Sequence, residues 1–120
     1  MNPRILVVDD DWAMQELFKS ILELAGFEIL LASDENEFRA MALGEKIDAI
    51  ILDIMLGNQD GPKIYEELIR KGLDPGIPVI FVSGLAKDLP PVYPQKDRRF
   101  ALLGKPFDSQ KLVQELQKVI

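Results

Sequence analysis

The sequence predicts a doubly wound α/β fold, a five-stranded parallel sheet with helices on both faces. Three observations carry that prediction. Short, unbroken apolar runs alternate along the chain with longer segments whose apolar residues recur at helical spacing. The runs are apolar at every position rather than at every second one, as in strands covered on both sides. Polar residues able to do chemistry stand directly after those runs, where open α/β sheets bind ligands.

The first run, ILVV at 5–8, ends in three consecutive carboxylates, Asp9, Asp10 and Asp11. Met14, Leu17, Phe18, Ile21, Leu22 and Ala25 then form one helical face, which Gly26 closes. EILLA at 28–32 is the second strand. Ser33 and Asp34 are N-cap candidates for a helix carrying Phe38, Met41, Ala42 and Leu43, with Gly44 near its end. AIIL at 49–52 is the third strand and ends at Asp53. A helix from about Pro62, which suits its first turn, presents Ile64, Tyr65, Leu68 and Ile69. Asp60 and Gly61 read as turn and helix-start residues. VIFV at 79–82 ends at Ser83, and FALL at 100–103 ends just before Lys105. Leu112, Val113, Leu116, Val119 and Ile120 mark the last helix, capped by Asp108 or Ser109. Between 85 and 99 the helical pattern fails, because Pro90, Pro91 and Pro94 interrupt it. The fourth helix is expected to be short or missing.

Composition narrows the chemistry. The 120 residues carry a formal net charge of −6 and contain neither Cys nor His. That excludes Cys nucleophiles, Ser-His-Asp triads and the usual zinc ligand sets. An acidic chain argues against a nucleic-acid surface. No apolar run is long enough to span a membrane, and no signal peptide is read, so a cytoplasmic location and no membrane insertion are expected. One domain, 1–120, is expected. Clustered carboxylates at a strand end suit a hard divalent cation such as Mg²⁺. Asp11 and Asp34 read as helix caps, and Trp12 as a residue packed at the rim of the site.

Taken together, ILVVDDD, ILDIMLGNQDG, PVIFVSG and LLGKPF resemble, in that order and over the whole chain, the receiver domain of bacterial two-component response regulators. The resemblance implies a flavodoxin-like (βα)5 fold with strand order 2-1-3-4-5. It implies that Asp53 is the phosphoacceptor, that Asp10 binds Mg²⁺ (or Mn²⁺) directly with Asp9 in support, and that the Met55 backbone carbonyl is a further ligand. Ser83 then hydrogen-bonds the phosphoryl group, and Lys105 pairs with the phosphoryl oxygens and Asp53. The implied partner is a sensor histidine kinase or a histidine phosphotransfer protein. The implied function is a phosphorylation-controlled binding switch rather than an enzyme.

The pattern departs from the family in three places. Gly57-Asn58 stands where Pro-Gly is usual, which predicts a looser loop after Asp53. Leu102 replaces the usual switch aromatic. Gly84 with the prolyl stretch resembles an atypical alphaproteobacterial receiver subclass with a degenerate fourth helix. The segment 85–99, rich in Lys and Arg, is expected to reorder when Asp53 is phosphorylated. Two rival readings remain: a haloacid-dehalogenase-type phosphatase using Asp9, and a pseudo-receiver that binds partners without phosphorylation. The phosphatase reading leaves Asp53 unexplained.

Overall fold

Five parallel strands, residues 28–32, 4–8, 49–53, 79–83 and 100–104 in that spatial order, form one sheet. In this computed structural model, residues 2–83, 100–104 and 108–120 are described, residue 83 and residues 100–104 through the backbone alone. The strands are β1 (Arg4–Val8), β2 (Glu28–Ala32), β3 (Ala49–Asp53), β6 (Val79–Ser83) and β7 (Phe100–Gly104). The helices are α1 (Trp12–Leu24), α2 (Glu35–Gly44), α3 (Gly61–Arg70) and α4 (Ser109–Val119). The sheet order is the one expected, once β4 (Met55–Leu56) and β5 (Gln59–Asp60) are set aside as a separate two-stranded ribbon. The expected weak fourth helix, with segment 85–99, lies outside the described residues.

Alternation along each strand divides the core in two. Leu6, Val8, Ile50, Leu52 and Phe81 face one side and pack with Phe38 of α2 and Ile64, Tyr65 and Leu68 of α3. Ile5, Val7, Ile51, Ile80 and Val82 face the other and pack with Phe18 and Leu22 of α1 and Leu112 and Leu116 of α4. This double coverage is why the strands read as continuous apolar runs. Tyr65 meets Phe81 edge to face, with ring centroids 6.2 Å apart.

The helix boundaries follow capping chemistry. Asp11, Asp34, Asp60 and Asp108 are the four N-caps, each accepting from backbone N–H groups of the first turn. Asp34 adds a reciprocal contact, since the Glu37 carboxylate accepts from the Ser33 N–H at 2.6 Å. Helix α1 stops at Gly26, whose φ of +93° allows the Phe27 N–H to reach the Leu22 carbonyl at 3.0 Å.

Several expectations about faces need correction. Leu17 is 46% exposed, Leu43 43% and Ile120 50%, and Ala25 is also exposed. The inward seam of α1 instead runs through Gln15, Phe18 and Leu22, because a buried glutamine with hydrogen-bond partners replaces an apolar residue there. The loop after Asp53 is not loose. It forms the β4–β5 hairpin, in which Met55 pairs with Asp60 and Leu56 with Gln59. Gly57, at φ +62°, supplies the positive first turn position that a tight two-residue hairpin of the type II′ kind needs.

Gly61 is the tightest point between site and scaffold. Its N–H donates to the Ile54 carbonyl at 2.7 Å, and an added Cβ would collide with the Asp53 carbonyl oxygen. The obstacle is backbone in a buried strand end, so it cannot swing aside. Gly61→Ala is expected to destabilise the fold by about 2 kcal/mol or more, as for other overpacked buried positions. Urea denaturation followed by circular dichroism checks this.

Candidate functional site

Register decides what meets at the carboxyl edge of the sheet. Val8 pairs with Leu52 in adjacent strands β1 and β3, so the next residues along, Asp9 and Asp53, leave the sheet side by side. Asp53 pairs in turn with Val82 of β6. Ser83 follows Val82 and pairs through its backbone with Gly104 of β7, the residue before Lys105. The chain therefore carries all four strand ends to one edge. The side chain of Ser83, and Lys105 itself, lie outside the described residues.

Asp9 is buried to 1% exposure and held at three of its atoms. Its N–H donates to the Ala32 carbonyl at 3.1 Å, and its own carbonyl accepts from Gln15 Nε2 at 2.7 Å. Its Oδ1 accepts from the Asp11 N–H at 2.9 Å. Asp53, 8% exposed, accepts at Oδ1 from the Met55 N–H at 3.1 Å. Asp10 is exposed. One carboxylate oxygen from each of Asp9, Asp10 and Asp53 lies within 4.8 Å of the others.

That donor set fits a hard cation. Oxygens around an octahedral Mg²⁺ stand about 3 Å apart when adjacent and about 4 Å apart when opposite. Without a cation, the three negative charges oppose one another, two of them in a largely desolvated position. The hairpin tip lies beside this group, since a Cβ at Gly57 would stand 3.9 Å from Asp10 Oδ2.

Asp11 does not belong to the cluster. Its Oδ1 accepts from the Ala13 and Met14 N–H groups at 2.9 and 3.4 Å, so it caps α1 as expected. Trp12 is 73% exposed and does not pack at the rim. The Met55 side chain is also exposed at 57%, while its N–H is used on Asp53. Sequence reasoning missed Gln15. The available signal was a glutamine at i+4 from the Asp11 cap, beside Met14 and Phe18 on the inward face.

Comparison with known proteins identifies the family and the fold. The family model described as "Response regulator receiver domain" matches residues 5–117. Among curated relatives, the "DNA-binding dual master transcriptional regulator RpaA" of Synechocystis is 30% identical over 98% of this chain and 49% of its own length. The "Phosphate regulon transcriptional regulatory protein PhoB" of Pseudomonas aeruginosa is 30% identical over 97% of this chain and 51% of its own length. The chain thus spans about half the length of these relatives. Among solved structures, a CheY-like receiver domain protein from Methanospirillum hungatei superimposes with a TM-score of 0.80 at 27% identity, covering 98% of this chain and 93% of its own. The receiver domain of the hybrid histidine kinase CckA gives a TM-score of 0.77 at 28% identity, covering 98% and 99%.

The geometry separates the carboxylate cluster from the helix cap. Asp11→Ala is expected to lower stability by about 1 kcal/mol and to leave the response to divalent cations intact. Asp10→Asn is expected to blunt that response while stabilising the metal-free protein. Thermal melts of both variants with and without MgCl2 test the pair.

Proposed function

This chain belongs to the response regulator receiver family, and we propose that it is a phosphorylation switch with Asp53 as phosphoacceptor. Two-component signalling is the activity of the family. The arrangement of the carboxylates supports specific roles for its residues. The observation that carries it is the convergence of Asp9, Asp10 and Asp53 within 4.8 Å at the carboxyl ends of adjacent strands. In this reading Asp9, Asp10, Asp53 and the Met55 carbonyl hold Mg²⁺, with Mn²⁺ as a substitute. The family resemblance assigns Ser83 and Lys105 to the phosphoryl oxygens.

The chemistry needs little beyond positioning and charge. An ionised Asp53 oxygen attacks the phosphorus of a phosphohistidine. The new O–P bond forms as the N–P bond breaks, and the imidazole nitrogen of the donor keeps the electron pair. The chain has no His, so the donor belongs to a partner: a sensor histidine kinase or a histidine phosphotransfer protein. A bound divalent cation supplies neutralisation of the phosphoryl oxygens. The Met55 N–H orients one Asp53 oxygen, and the three contacts on Asp9 fix the second buried carboxylate. Water later attacks the acyl phosphate, releasing inorganic phosphate and restoring Asp53. The chain turns over no other substrate in this reading.

We assign residues 1–120 to one receiver domain acting in the cytoplasm. Among the described residues no helix is long and apolar enough to cross a membrane. The net charge of −6 opposes direct nucleic-acid binding by this domain. RpaA is named as DNA-binding, and a comparable output is a matter for sequence beyond this domain.

Incubation with acetyl phosphate and Mg²⁺ is expected to add one phosphoryl group by mass spectrometry. Asp53→Ala should abolish it, and peptide mapping should place the label on Asp53. A label on Asp9 would instead support the phosphatase alternative. Mg²⁺ should also raise the melting temperature, because a ligand of the native state alone adds RT ln(1+[L]/Kd) to stability.

A further inference from the structure

Gln15 lies on the inward face of α1 at 6% exposure, among apolar residues. Its Nε2 reaches three acceptors: the Asp9 carbonyl at 2.7 Å, the Ala32 carbonyl at 3.2 Å and Ser33 Oγ at 2.9 Å. Two of these are carbonyls, which only accept, so the amide nitrogen and not its oxygen must face them. One side chain therefore gathers the end of β1, the end of β2 and the turn into α2. A glutamine is a demanding choice for this place. Burying an amide is unfavourable unless its hydrogen bonds are made, and an apolar residue would fill the seam with no such demand.

We propose that Gln15 is a positioning residue for the acidic site, setting the orientation of Asp9 by holding its carbonyl from inside the fold and tying it to Ser33. The proposal rests on the reading of Asp9, Asp10 and Asp53 as the divalent-cation site. The Asp9 backbone is held from two sides, by Gln15 at its carbonyl and by Ala32 at its N–H. The Asp9 carboxylate is aimed by the Asp11 N–H. Removing Gln15 frees the peptide plane between Asp9 and Asp10. That plane is shared by two of the three carboxylate residues, so both lose their aim together. Groups that orient metal ligands in this way influence affinity strongly although they never touch the ion. The Ser33 hydroxyl makes the same site sensitive to the turn that starts α2, on the far side of β1 from Asp53.

Trp12, the single Trp of the chain, stands two residues after Asp10 and is exposed, so its fluorescence can report cation binding. Gln15→Met keeps the length of the side chain and removes its donors. MgCl2 titration of this variant is expected to give a Kd about tenfold higher than the parent chain. At saturating Mg²⁺, the extent of Asp53 phosphorylation by acetyl phosphate should return to the parental level. That split between affinity and capacity is what a merely structural role would not produce. Ser33→Ala, at an exposed hydroxyl, should raise Kd about twofold, and the double variant should be no weaker than Gln15→Met alone, as expected of groups that act through one contact. A parental Kd in a folded Gln15→Met overturns the proposal, as does a fall in phosphorylation capacity that excess Mg²⁺ fails to restore. If Gln15→Met does not fold, an unchanged Kd in Ser33→Ala overturns it instead. The underlying site reading fails separately: the parent chain would then show no saturable Mg²⁺ response, or Asp10→Asn would keep it.

Discussion

The pairing of Val8 with Leu52 is the constraint on which the rest of the site depends. Side chains alternate along a strand, and a shift of one residue would exchange every inward position for its neighbour. Here such a shift would also carry Asp9 and Asp53 out of step and leave one carboxylate within the sheet. The register is secured by burial on both faces, since Ile5 to Val8 and Ala49 to Leu52 are almost fully enclosed. The stable core thus places charged groups that would by themselves push apart. Packing supplies the restraint, and the carboxylates it gathers form a cluster that could hold a metal ion.

Much of this was legible in the sequence for that same reason. Strands covered on both faces must be apolar throughout, so β1, β3 and β6 stand out as uninterrupted runs, and their ends are visible where Asp9, Asp53 and Ser83 begin. The caps were legible because Asp11, Asp34 and Asp108 each precede a helical pattern. Less legible were features set by neighbours that are distant along the chain. Periodicity counts apolar residues, so it placed Leu17 and Ala25 inside and passed over Gln15, whose burial depends on carbonyls donated by β1 and β2. Leu43 fits the α2 pattern by spacing, but it is exposed while Phe38 and Ala42 are buried. Trp12 reads as packed because aromatic residues usually are, but its side chain is exposed.

The hairpin shows a different limit. Gly57-Asn58 was read through the Pro-Gly it replaces, and the loss of a fixed proline φ suggested slack. Glycine did not leave the segment without structure. It permitted a turn that a proline φ of about −65° would forbid, and it brings Met55 opposite Asp60 and Leu56 opposite Gln59 across the ribbon. A residue that loosens one conformation can be the requirement of another. The hairpin also ends at Asp60, which caps α3, and at Gly61, which presses on Asp53. Loop, cap and Asp53 are therefore joined directly through backbone contacts.

The division of the core into two faces has a consequence for how this molecule can change. Phe38, Tyr65 and Phe81 share one compartment, while Phe18, Leu22 and Leu112 share the other, with the sheet between them. Alterations on opposite sides have few common neighbours, so their effects should add nearly independently. Away from Gln15, which ties α1 to Asp9, substitutions in the α1/α4 layer should therefore leave the packing of the α2/α3 layer nearly undisturbed. The sheet acts as insulation between the two layers, and Gln15 is a place where that insulation is crossed.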